Sequence, residues 1–425
     1  MGPTLICDKS TLQALNKDEL SVLRKYYSLN LPPILLMEIL GDLKKHPNAE
    51  DGRKEVEMLA NKILPACSTV NVDFRFMIRG ELAGHKVQMT GVPVLRGARQ
   101  IADPDGKLGL IFEEPKEHKA LLRWQIRDLD GAEVLLAEAW KLSSQSIDLE
   151  GMQKKLKNSY SGTINLRNLA ETGSFVDGLL RTAPPYQLLL WFFGDASIVL
   201  HGNEPQRLEA LRDAPPGSIN AILPYTSYCL RAALIFHFGL AFALVSTRAT
   251  NRLDLEYFYY APFCHLFSSG DKFHRKMASL INNEKVFVEG SALKADLANL
   301  AKHRMMMESQ GNADGSRNSV PPSNEASITY QAWKDTMKPG FDKVAKDISS
   351  HLTPEISAKI LKKYRQMMNN RHHSQAPSVS MEDCEFIIME HSVRPDGPCI
   401  CGSLKKFKDC CGQKLIAAKQ QKTKE

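Results

Sequence analysis

Four acidic residues stand where a chain can put carboxylates to chemical use. Asp8 ends the apolar run Leu5-Ile6-Cys7, and Asp271 follows the run Cys264-His265-Leu266-Phe267-Ser268-Ser269-Gly270. A buried strand that stops at an acid delivers that acid to the edge of a sheet, where α/β folds place ligands. Glu38 lies on a segment with helical periodicity, and Asp254 opens a second one. Hard cations such as Mg²⁺ or Mn²⁺ prefer carboxylate and water oxygens, and four acids suit a site that orients and acidifies an attacking water. Read alone, Asp8 is also a good N-cap for the helix that Ser10-Thr11-Leu12-Gln13 begins. Lys9, Ser10 and Lys272 flank the acids and could contact phosphate or lie exposed at helix starts. Arg252 and Tyr257 share the helical face of Asp254, while Asp42 and Glu256 are second choices beside Glu38 and Asp254.

A second group of chemistry-bearing residues lies near the C-terminus. Of nine cysteines, four (Cys399, Cys401, Cys410 and Cys411) fall in the stretch Pro398-Cys399-Ile400-Cys401-Gly402 to Cys410-Cys411-Gly412. Four thiolates at this spacing can surround Zn²⁺ tetrahedrally, and a closed sulfur shell leaves no open position for catalysis. The site is therefore expected to be structural, supplying folding energy to a short segment. Cys7, Cys67, Cys229, Cys264 and Cys384 sit among apolar neighbours and read as small core residues. His372-His373 lies in a polar stretch without partner ligands.

The elements that must position the acids follow from local pattern. Asn16 and Glu19 have the capping-box spacing ahead of Leu20, Leu23 and Tyr27. Ser28 to Pro32 reads as a loop, and Pro33 suits the first turn of a helix through Ile34, Leu35, Glu38, Ile39, Asp42 and Leu43. Glu38 and Asp42, four residues apart, would share a face and repel unless a cation offsets them. The alternation from Val70 to Phe76 predicts a strand, Asp103-Pro104-Asp105-Gly106 a turn, and Lys285 to Val288 a further strand. Helices are expected over 115–127, 130–142, 149–158, 186–193 and 225–245.

Bulk properties set limits. With 43% apolar and 24% charged residues, the 425-residue chain is an ordinary globular composition with room for two or three domains. The net charge of +7 admits a polyanionic partner without identifying one. The N-terminal residues carry neither a signal peptide nor a myristoylation signal, and clustered cysteines then read as metal ligands in a cytoplasmic protein. The longest apolar stretch, 232–246, contains His237 and is too short to span a bilayer, so it predicts a buried core helix and no membrane partner.

At Asp8, Glu38, Asp254 and Ser269-Gly270-Asp271 the chain resembles the PIN-like nucleases, over 5–43 and 253–288. The resemblance implies a PIN-like three-layer α/β/α sandwich around a parallel sheet, with these four acids holding Mg²⁺ or Mn²⁺. It also implies phosphodiester hydrolysis, of RNA more often than DNA. A haloacid dehalogenase phosphatase would need a second Asp where Ser10 stands. The cysteine stretch resembles the SEC-C motif, with Leu404 where glycine is usual. That family implies a zinc-binding adapter docking on proteins or ribosomes, and Lys405, Lys406 and Lys408 give it a basic face. The expected organisation is a PIN-like domain in two parts, 1–48 and 247–309, around a mainly helical insertion, 49–246. A flexible linker (310–329), a helical segment (330–370), a linker with a short strand (371–395), the zinc module (396–415) and a basic tail (416–425) follow. The chain thus reads as a bacterial metal-dependent nuclease with an adapter tail. The alternative is an adapter with vestigial acids that binds ribosome, nucleic acid or protein.

Overall fold

A computed structural model describes residues 2–46, 48–63, 68–95, 99–102, 108–111, 115–160, 164–281, 286–309 and 321–336. Its frame is a five-stranded, wholly parallel sheet of β1 (Thr4–Cys7), β2 (Ser28–Leu31), β3 (Ser68–Val70), β6 (Leu266–Ser269) and β7 (Val286–Glu289), in the order β3-β2-β1-β6-β7. β4 (Arg99–Ala102) and β5 (Leu108–Ile111) form a separate antiparallel pair. The rest of the described chain is mostly helical. All four residues of β1 and of β6 are buried, and because successive side chains point to opposite faces, both faces of the sheet are covered there. This explains why these strands read as continuous apolar runs.

The N-terminal part alternates strand and helix. α1 (Lys9–Ala14), α2 (Lys17–Tyr26), α3 (Pro33–Gly41), α4 (Ala49–Ile63) and α5 (Phe74–Leu82) lie between or just after β1, β2 and β3. The Asn16–Glu19 capping box is formed at α2, and Pro33 opens α3 as expected. Two local readings change. Ser28–Leu31 is a strand, its polar Asn30 accommodated because the side chain donates to the Phe263 carbonyl at 2.9 Å. The strand near Val70 covers only 68–70, since Asp73 accepts from the Arg75 N–H at 2.8 Å and starts α5. β3 pairs with β2, so the sheet draws one strand from within the segment 49–246.

Among the described residues, nine α-helices separate β5 from β6: α6 (Lys116–Trp124), α7 (Gly131–Gln145), α8 (Leu149–Tyr160), α9 (Leu169–Thr182), α10 (Pro185–Asp195), α11 (Glu204–Glu209), α12 (Ile219–Ile222), α13 (Pro224–Ala241) and α14 (Thr250–Tyr259). The periodicity located α6, α7, α8, α10 and α13, whereas α9, α11 and α12 were not expected. α13 is the buried centre of this layer, packed against α8, α9 and α14. No helix among the described residues is long and apolar enough to cross a membrane. After β6 come α15 (Lys272–Ile281) and, beyond β7, α16 (Gly290–Ser309). α17 (Ile328–Thr336) folds back on the start of the chain. Asp296 accepts from the Ile328 and Thr329 N–H groups, and Trp333 Nε1 donates to the Tyr26 carbonyl at 3.0 Å. Cys7, Cys229 and Cys264 are buried and form no disulfide, as their neighbours suggested. Cys67, Cys384, His372, His373 and the turn at 103–106 lie outside the described residues.

α13 begins in the interior, where its first N–H groups cannot reach water. Glu81, on α5, accepts from the Tyr225 N–H at 3.0 Å and from the Thr226 N–H and hydroxyl at 2.7 Å each. It acts as a cap supplied from another helix. Glu81→Ala leaves these donors buried and unpaired, and the expected loss is about 2–4 kcal/mol. The check is a lower urea midpoint at unchanged slope, with a smaller loss for Glu81→Gln; an unchanged midpoint would show that the donors have other partners.

Candidate functional site

The parallel register Leu5↔Leu266, Ile6↔Phe267 and Cys7↔Ser268 sets the C-terminal ends of β1 and β6 side by side. The ladder continues as the Asp8 N–H donates to the Ser268 carbonyl at 3.1 Å. Asp8 is buried and caps α1, its Oδ1 accepting from the Thr11 N–H at 2.8 Å. Its Oδ2 accepts from the Ser10 hydroxyl at 2.8 Å and the Ser269 hydroxyl at 2.7 Å. Ser10, read as a residue for phosphate, is thus bonded to Asp8.

Ser269 is the joint of the site. Its Oγ lies 2.7 Å from both Asp8 Oδ2 and His274 Nδ1, and it accepts from the Asp271 N–H at 2.9 Å. His274 Nε2 lies 3.0 Å from the Asp254 carbonyl, which can only accept, so that nitrogen carries a proton. Burial lowers the His274 pKa and favours the neutral ring, whose Nδ1 then accepts from the Ser269 hydroxyl. One hydroxyl proton therefore faces two acceptors. Through Ser269 and His274, Asp8, Asp254 and Asp271 hold fixed relative positions.

Asp254 and Asp271 meet on one nitrogen. Arg248 Nη2 lies 3.0 Å from Asp254 Oδ2 and 2.5 Å from Asp271 Oδ2. Burial, then repulsion from Glu38 and Asp271, pushes Asp254 up to about 7 against the pull of Arg248. At Asp271 burial also opposes ionisation, but the Phe273 N–H and Arg248 outweigh it and hold the carboxyl below its ordinary value. Glu38, on α3, accepts from the Tyr257 hydroxyl at 2.5 Å. Burial raises it to about 7, with Lys9 and Tyr257 opposing and Asp8 and Asp42 adding to the rise. Glu38 therefore feels Asp8 and acts on Asp254, which places all four acids in one electrostatic neighbourhood.

The flanking residues divide. Lys9 donates to Asp42 Oδ1 at 2.9 Å and to the Glu38 carbonyl at 3.3 Å, the cation that the Glu38 and Asp42 spacing required. Asp42 follows α3 in a short 3₁₀ turn. Lys272 is exposed at the start of α15. Arg252, expected beside Asp254, instead reaches the Asp195 carbonyl and carboxylate at 2.9 and 3.2 Å, and Glu256 pairs with Arg75. Arg248, His274 and the role of Ser269 went unread. Ser269 was visible in the Ser-Gly-Asp spacing, and His274 stands one helical turn beyond Asp271. Arg248 lies on the α13–α14 connection with no local signal.

Among the described residues, no three His, Cys, Asp or Glu side chains are gathered as a metal cage. The oxygens present are nonetheless the donor type that Mg²⁺ accepts, and that ion commonly takes only one or two carboxylates from a protein, with water and phosphate completing its shell. Cys399, Cys401, Cys410 and Cys411 lie outside the described residues.

Comparison with protein families matches the SEC-C motif at residues 398–413, so the chain carries that motif at its C-terminal end. No curated protein and no solved structure matches the chain.

The raised acids make stability pH-dependent with a defined sign. Glu38 and Asp254 release their protons near pH 4 when unfolded and near 7 when folded, so the folded state binds more protons between those values. Stability then falls as pH rises from about 4 to about 7 and the loss is complete above that. Glu38→Gln keeps an acceptor for Tyr257 and removes one charge. It should flatten the decline in thermal midpoint and gain on the order of 1–2 kcal/mol at pH 8 over wild type. Parallel pH profiles for the two proteins would refute this ionisation of Glu38.

Proposed function

We propose that the α/β part of the chain is a PIN-like, metal-dependent nuclease acting on RNA. The observation that carries this reading is the convergence of the Asp254 and Asp271 carboxylates on one Arg248 nitrogen at the carboxyl edge of a parallel sheet, with Asp8 joined to the Asp271 backbone through Ser269 and Glu38 acting on Asp254. Asp254 and Asp271 touch one cationic nitrogen, so a single Mg²⁺ or Mn²⁺ in its place would meet two carboxylates. Such an ion acidifies water and offsets charge on the departing oxygen. The chain's own residues do the rest. Asp8, fixed by Thr11, Ser10 and Ser269, presents a preorganised carboxylate. Glu38, raised to about 7 and lying off the Arg248 nitrogen that Asp254 and Asp271 share, is suited to take the proton from the attacking water at neutral pH. Hydroxide oxygen then bonds to phosphorus, the bond from phosphorus to the leaving oxygen breaks, and that oxygen takes a proton from solvent water while the carboxyl returns its own to solvent. Lys272, exposed at the start of α15, would attract the phosphate chain.

A second reading, an adapter with catalytically silent acids, draws on Arg248, which already neutralises Asp254 and Asp271. In both readings the SEC-C cysteines Cys399, Cys401, Cys410 and Cys411 hold structural Zn²⁺, and the module docks on a protein or ribosome partner.

Wild type should hydrolyse mixed RNA with Mn²⁺ faster than single-stranded DNA, and Asp8→Asn should lose activity on the order of 100-fold while remaining folded. No hydrolysis by folded wild type would favour the adapter. The zinc reading is checked by elemental analysis of full-length protein: about one Zn per chain is expected, lost in the double variant Cys399→Ser, Cys410→Ser. Equal zinc in both proteins would refute the ligand assignment.

A further inference from the structure

Arg248 differs from the other arginines near the site. Arg252 and Arg75 are fixed by backbone carbonyls as well as carboxylates, Arg252 by Asp195 and Arg75 by Ala196, Asp73 and Glu256. The guanidinium of Arg248 donates to Asp254 and Asp271, and its side chain is 55% exposed where theirs are 18% and 20%. Its backbone is held, the Asn251 N–H donating to the Arg248 carbonyl at 2.9 Å. Movement of the charge therefore needs only side-chain torsions.

The two acids share one cation. Asp254 faces both Glu38 and Asp271, and a guanidinium stays charged at every working pH. A divalent ion carries twice the charge in a smaller volume, and two oxygens that converge on one nitrogen can turn to one metal. Release is inexpensive for a side chain already half in water, because it regains hydration instead of leaving a buried charge unpaired.

We propose that Arg248 is the resident counter-ion of the Asp254–Asp271 pair and that a divalent cation exchanges with it, turning the guanidinium out to the mouth of the site. The proposal rests on the nuclease reading, since it presumes that metal binds these acids. It makes Arg248 a regulator of metal loading: the site stays closed by an internal ion until divalent metal is abundant enough to displace it. The released arginine would stand beside the metal, where a phosphodiester would meet it.

The experiment is Mn²⁺ titration of full-length wild type, Arg248→Gln, Arg248→Lys and Asp254→Asn, with free Mn²⁺ read by electron paramagnetic resonance. Removing the competitor should tighten Mn²⁺ binding by about fivefold or more in Arg248→Gln, with Arg248→Lys between it and wild type. Asp254→Asn should bind more weakly than wild type. In wild type, phenylglyoxal labelling of Arg248, followed by peptide mass spectrometry, should quicken when Mn²⁺ is added. Equal or weaker binding by Arg248→Gln, with Asp254→Asn still impaired, overturns the exchange and leaves the nuclease reading standing. Wild type and Asp254→Asn binding Mn²⁺ equally, or not at all, overturns both. If Arg248→Gln fails to fold, the labelling decides: a rate unchanged or slowed by Mn²⁺ overturns the exchange.

Discussion

The parallel pairing of β1 with β6 is the constraint on which the rest of the structure depends. It joins the first apolar run of the chain to one whose closing serine, Ser269, lies 261 positions from Asp8 in sequence. The pairing makes two distant acids neighbours and turns Ser269 into a bond between them. Helices α6 to α14 must leave the sheet and return within reach of β1's open side. The completed strand order, with β1 in the centre, lets both faces of β1 and β6 be buried.

That architecture concentrates like charges, and the surrounding residues limit the consequence in different ways. Asp8 accepts from the Thr11 N–H and the Ser10 hydroxyl, and shares the Ser269 hydroxyl proton with His274. Asp42 and the Glu38 backbone share Lys9, while the Glu38 side chain has a phenol. Asp254 and Asp271 share Arg248. Burial still drives Glu38 and Asp254 toward neutrality, and perturbed carboxyls gathered at a sheet's carboxyl edge are a general mark of functional sites. Here the perturbation arises first from the burial that the fold imposes and only then from like charges held close by.

Much of this was legible in local pattern. Leu5-Ile6-Cys7-Asp8 and Phe267-Ser268-Ser269-Gly270-Asp271 announced buried strands ending at acids because a strand covered on both faces has no polar alternation to obscure it. Ser28–Leu31 was hidden for the opposite reason: Asn30 breaks the apolar run, and its partner, the Phe263 carbonyl, is set by the tertiary fold. The four acids could be picked out by type and context. Their counter-ions could not, because nothing in the text around Arg248 says that its guanidinium reaches two carboxylates, or around Arg252 that it turns to Asp195. The Cys399-Ile400-Cys401 and Cys410-Cys411 spacing was legible as a motif without any fold at all.

The long separation between β1 and β6 also bears on how the molecule is made. A ribosome releases Leu5-Ile6-Cys7 early, yet the strand's partner on one side is not synthesised until most of the described chain has emerged. Until then β1 has β2 on one edge and an open row of backbone donors and acceptors on the other, next to the apolar side chains of Leu5 and Ile6. Closing so long a loop is slow, although its entropic cost grows only logarithmically with length. The acids that define the site become neighbours only in that final step, so a chain truncated before β6 would retain Asp8, Glu38 and Asp254 but not the arrangement that relates them.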